Sequence, residues 1–191
     1  MDVLRANTDQ HFFMQQPYGV LMGAQMILSL VILILFFFAP FLYEGTSLAI
    51  LVSSVLLLYS IVQNVLHVFG IQRRAVNLLG RQLYFPPAFV VFVFAAFGAV
   101  GMAISSLIVF IGFIDSLRFK VTLIIVYALL SLSCAALTAV CTRILMLMFR
   151  AAPNGKVLGL MGVVLEGDRA IRVNGPGGPS QAAQQFPVNP V

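Results

Sequence analysis

From Ser47 to Gly70 the chain contains no Asp, Glu, Lys or Arg. About 20 helical residues at a rise of ~1.5 Å cross a hydrocarbon core of ~30 Å. The run turns polar toward its end through Gln63, Asn64 and His67, and Arg73, Arg74 and Arg81 follow in the next loop. A passage from hydrocarbon-like side chains to amides to cations, in one direction, predicts a membrane-spanning helix with a marked cytoplasmic end.

Three more runs are built the same way, and spans are expected over 19–43, 47–70, 86–114 and 121–149. Pro40, near the far end of the first run, stands where a lost backbone hydrogen bond costs least. Phe36, Phe37, Phe38 and Phe41 thicken that end, and Glu44-Gly45-Thr46 turns the chain back. Pro86-Pro87 opens the third run, as suits a first helical turn, and the six residues from Asp115 to Lys120 make the last turn. Such short connections force antiparallel neighbours, so the expected fold is an all-α, up-down bundle of four transmembrane helices with short loops.

Composition excludes the soluble classes. Of 191 residues, 61% are hydrophobic and 9% charged, against roughly 25% charged in soluble domains. The net charge of +5 does not point to nucleic acid, because the cations stand at the ends of apolar segments and form no stripe with stacking aromatics. Cys134 and Cys141 lie seven positions apart on one predicted helix. That separates them by about 10.5 Å along the axis, too far for a mutual disulfide.

Residues 1–17 form a polar segment ahead of the bundle of 18–150. The run that follows is too long for a signal-peptide core, which makes it an uncleaved first span. With both termini inside, Arg5, Arg73, Arg74, Arg81, Arg143, Arg150, Lys156, Arg169 and Arg172 lie on or near the cytoplasmic side, against Arg118 and Lys120 outside. The excess of cations sets both termini in the cytoplasm. Arg73, Arg74, Arg81, Arg150 and Lys156 are the expected contacts to anionic lipid.

No hydrophobic force drives helices together in lipid, so small residues and interhelical hydrogen bonds carry the packing. Ala95, Ala99 and Ala103 recur four apart in the third span, and Ser131, Ala135 and Ala139 in the fourth. These faces are expected to pack the hairpin or to meet another chain. Polar groups at membrane depth need partners. At similar predicted depth stand Gln25, Gln63, Asn64, His67 and Arg143, proposed as an interior polar layer: hydrogen-bond glue in its plainest form, a lipid or ligand pocket in its functional one.

Enzyme chemistry finds no footing. The acids Asp2, Asp9, Glu44, Asp115, Glu166 and Asp168 all lie outside the predicted mid-membrane region. There is no phosphate loop, HExxH or CxxC motif, and two histidines are too few for a metal site, so no cofactor is expected. Proton-coupled small exporters and rotary proteolipids need a buried acid that is missing here. Tetraspanins carry a large Cys-Cys-Gly loop and claudins an outer-loop tryptophan, and this chain has neither. In topology alone the plan resembles MARVEL-type vesicle proteins.

After the Pro153-Asn154-Gly155 stop, residues 151–173 predict a small hairpin or an interfacial helix close to the membrane. The Gly, Pro and Gln of 174–191 predict a disordered or partner-docked cytoplasmic tail. The expected function is non-catalytic: an accessory or scaffold subunit of a membrane complex, or a trafficking component, in contact with lipids and with other subunits or copies of itself. The alternative is a pore or lipid-handling component built on the polar layer.

Overall fold

The computed structural model describes residues 14–68, 76–78, 81–83, 87–119, 121–153, 156–165 and 170–172. Four long helices carry the chain: α1 (Tyr18–Phe38), α2 (Thr46–Val68), α3 (Pro87–Ser116) and α4 (Val121–Ala151). Each is long and apolar enough to cross a bilayer. The protein is an all-α, four-span integral membrane protein.

Helix boundaries follow local chemistry. Pro40 disfavours helical backbone at Ala39, so α1 ends at Phe38 rather than reaching Tyr43, and the Ala39 N–H closes on the Phe36 carbonyl at 3.2 Å. Gly45 has φ +83°, where a side chain would be strained. It reverses the chain into α2, and Thr46 Oγ1 donates to the Tyr43 carbonyl at 2.7 Å. At the other turn Ser116 Oγ donates to the Phe113 carbonyl at 2.6 Å while the N–H groups of Leu117, Arg118 and Phe119 tighten into three-residue hydrogen bonds.

The chain divides into two compact units. One comprises Ala24–Ile61 and Phe94–Leu145, and holds a stretch of all four helices. Its core takes Ile32 and Phe36 from α1, Val52 and Leu56 from α2, Met102 and Val109 from α3, and Tyr127, Leu130, Leu137 and Cys141 from α4. On α4 the buried positions run Leu123, Tyr127, Leu130, Cys134, Leu137 and Cys141, alternately four and three apart. On α3 they run Ala95, Gly98, Met102, Ser105, Val109 and Gly112. This 3.5-residue period keeps one seam facing a neighbouring helix.

Small residues let the helices close on one another at matched levels. A Cβ on Gly98 would stand 2.8 Å from Cys141 Sγ and 3.0 Å from Leu56 Cδ2, and one on Gly101 3.1 Å from Val52. Ser53 Oγ lies 3.8 Å from Met102 Sδ. At the turn end, Gly112 is packed by Tyr127 and Tyr43, and Gly45 by Ile108. Gly98 of α3 shares one interior layer with Leu56 of α2 and Cys141 of α4.

The other unit comprises Met1–Gly23, Val62–Val93 and Met146–Val191. Among its buried residues are Tyr18, Met22, Val91 and Met148 from the helix ends. Between α2 and α3 it contains a short antiparallel pair, β1 (Val76–Leu78) with β2 (Arg81–Leu83), in which Leu78 faces Arg81. After α4 come a 3-10 helix (Val157–Gly162) and a second antiparallel pair, β3 (Val163–Leu165) with β4 (Ala170–Arg172). Leu160, Val163, Leu165 and Ala170 are buried, and Gly159 approaches Pro153 so closely that a Cβ would meet its ring at 3.0 Å. The segment after α4 therefore packs on protein. Residues 174–191, expected as a disordered or docked tail, lie outside the described residues.

Candidate functional site

Burial in α2 is inverted relative to a soluble helix. Its outward side chains include Leu51, Leu58, Ile61, Val62 and Val65, while Thr46, Ser53, Ser60, Gln63, Asn64 and His67 are buried. Lipid solvates the alkyl groups and cannot hydrogen-bond the polar ones, so the polar side chains turn inward. Thr46, Ser53, Ser60 and His67 follow one another at seven-residue intervals. That is about two helical turns, so these polar groups share one face of α2.

Most of these groups find protein partners. His67 Nδ1–H donates to the Gln63 carbonyl one turn earlier at 2.8 Å, and Gln63 Nε2 lies 3.3 Å from the same ring nitrogen. The His67 ring is thus held against its own helix over the Gln63 backbone. Ser29 Oγ donates to the Gln25 carbonyl and Ser105 Oγ to the Gly101 carbonyl, each at 2.8 Å. Among the described residues, the buried side-chain atoms without a hydrogen bond include Gln25 Nε2, Ser60 Oγ, Tyr59 Oη and Tyr43 Oη. The Tyr59 ring stacks on Phe94 with centroids 4.0 Å apart and planes 4° from parallel.

The five residues of the expected polar layer are placed differently from one another. Gln25 is buried in the unit of Ala24–Ile61 and Phe94–Leu145, whereas Gln63, Asn64 and His67 are buried in the other unit. Arg143 is exposed on α4 and is no member of an interior layer. Its position falls between the buried Cys141 and Ile144 in sequence but on the opposite side of the helix, where the guanidinium can extend along the lipid-facing surface.

The expected packing stripes divide between buried and exposed positions. Ala95 is buried and Ala99 lies against the core, but Ala103 is exposed; Ser131 is half-buried, and Ala135 and Ala139 are exposed. Each four-residue step turns a position by about 40° round the helix, so a strict four-residue row leaves a contact face that alternates steps of three and four. Ala135, Ala139 and Arg143 thereby form an outward row on α4. Among the expected lipid contacts Arg150 and Lys156 are exposed, Arg81 is in β2, and Arg73 and Arg74 lie outside the described residues.

No cluster of three or more His, Cys, Asp and Glu able to hold a metal occurs among the described residues. Sequence reasoning missed Ser60, Tyr59 and the Tyr43–Tyr127 contact. The seven-residue repeat of polar residues in α2 was the signal that identifies Ser60. No protein-family model, curated protein or solved structure matches the chain.

Proposed function

We propose that this protein is a non-catalytic accessory or scaffold subunit of a membrane assembly, or of a trafficking complex, that docks through the outward row of α4. The observation that supports this reading is the exposure of Ala135 and Ala139. Small side chains at mid-span are of little use for filling lipid but allow a second helix to approach closely. Arg143, one turn farther along, gives that face a single cation, and its long stem reaches toward headgroups or an acidic group of a partner.

Threading with both termini in the cytoplasm is supported by the excess of Lys and Arg on that side. Arg150 and Lys156 are exposed and would meet the anionic leaflet, each worth about 1 kcal/mol near the surface. Neither metal nor cofactor enters this reading.

Purification in mild detergent with mass spectrometry of co-purifying chains tests it. A stoichiometric partner or second copy, lost on Ala139→Leu, is the expected outcome. A solitary chain from native membranes would refute it.

A second reading, a pore or lipid-handling component, is favoured by the concentration of buried polar residues toward the end of α2 at Gln63, Asn64 and His67. Reconstituted vesicles in which the wild-type chain moves no ion and transfers no lipid would remove it.

A further inference from the structure

Five serines are buried: Ser29, Ser53, Ser60, Ser105 and Ser116. Four of them hydrogen-bond, three to a carbonyl of their own helix and Ser53 to the Met102 sulfur. Ser60 alone does not. A helical serine normally has the carbonyl one turn back within reach, so the Ser60 hydroxyl has turned away from a bond that its neighbours take.

Gln25 carries the complementary defect. It is 98% buried, and its Nε2 has no acceptor. The two residues belong to the same compact unit, and their register follows from the turn between α1 and α2. Gln25 stands thirteen residues before Phe38, where α1 ends, and Ser60 fourteen after Thr46, where α2 begins. Phe36 and Ala49, which lie eleven residues from Gln25 and Ser60 respectively, both belong to one core cluster. Counting the same four-and-three steps down both antiparallel helices brings Gln25 and Ser60 to one layer. On α3 the residue after Phe94, which stacks on Tyr59, is the buried Ala95, and it contributes only a methyl group.

An amide donor and a hydroxyl, each desolvated and each without a protein partner, share an interior layer thinned by an alanine. Burying either without a hydrogen bond costs about 1–3 kcal/mol. A site with two to four polar partners and room for one probe sphere holds water. We propose that one water molecule is bound between α1 and α2 in this layer, accepting a hydrogen bond from Gln25 Nε2–H and bonded to Ser60 Oγ. The water completes the polar seam where the side chains do not reach each other, and it pins the register of the first hairpin by a contact that neither residue makes alone.

The test uses the full chain in lipid nanodiscs, with glutamine labelled at the side-chain nitrogen and assigned by Gln25→Leu. The expected result is magnetisation transfer from a long-lived water to the Gln25 amide protons, unaffected by a soluble paramagnetic quencher and lost in Ser60→Ala. No transfer in the wild-type chain, or transfer that survives Ser60→Ala unchanged, overturns the proposal. Stability gives a second readout. Each single substitution should lower the folded-to-unfolded ratio about threefold to twentyfold, the range of measured polar contacts between membrane helices. Gln25→Leu with Ser60→Ala together should cost no more than the worse single change. Effects that simply multiply would show two independent groups and no shared water.

Discussion

Tyr127 on α4 grips the turn that carries Tyr43. Its hydroxyl accepts a hydrogen bond from the Tyr43 N–H at 3.2 Å and donates one to the Phe41 carbonyl at 3.1 Å, while the two rings meet edge-to-face at 5.0 Å. One side chain thus satisfies two backbone groups of a turn that Pro40 has freed from helical bonding.

Tyr127→Phe keeps the ring contact and removes both hydrogen bonds. The expected loss is about 1–3 kcal/mol, because two partly buried backbone groups are left unmet. Tyr43→Phe is the control: the Tyr43 hydroxyl has no hydrogen-bond partner, so its removal should be close to neutral. Unfolding equilibria in detergent compare the two, and equal costs would contradict the assignment.

At Gly98, α3 is pressed against both α2 and α4. Gly98→Val should destabilise the chain by about 1–3 kcal/mol through overpacking, since even a Cβ there would stand 2.8 Å from Cys141 Sγ. Cys141→Ala removes that atom and should recover part of the loss from Gly98→Ala. A double variant no better than Gly98→Ala would place the clash on Leu56 instead.

Cys134 and Cys141 are free thiols with no exposed surface. A membrane-permeant maleimide should leave both unlabelled in native membranes and label both once the chain is unfolded in SDS. Labelling of Cys141 before unfolding would mean that the seam opens.

Ala135→Leu and Ala139→Leu alter exposed positions of α4. Both should leave the stability of the isolated chain within about 0.5 kcal/mol of wild type, yet disrupt co-purification of the partner proposed above. Stability and partner capture falling together would mean that these alanines pack within the chain.

Four spans were legible from apolar length, because the bilayer sets a single dimension that every crossing must match. The inner face was harder to read. In water the buried side of a helix is its apolar side, but Leu58 faces lipid and Leu56 faces protein with the same side chain. Small residues then look like the best guide, and they led to a four-residue row that passes from the buried Ala95 to the exposed Ala103. Arg143 was placed by depth, which ignores which side of α4 it occupies. The polar residues were the more reliable marker, since lipid offers them nothing and only the interior can take them. The missing hydrogen bonds of Gln25 Nε2 and Ser60 Oγ depend on rotamers and were not legible at all.

The spacing of α2 fixes something besides its contacts. Leu51, Leu58 and Val65 are exposed and recur seven apart, on the side opposite Ser53, Ser60 and His67. Rolling this rod about its own long axis would drag hydroxyls and an imidazole into oil, so it behaves as a keeled body, free to tilt but not to spin. Whatever lies alongside it in the membrane always meets the same ridge of leucine and valine.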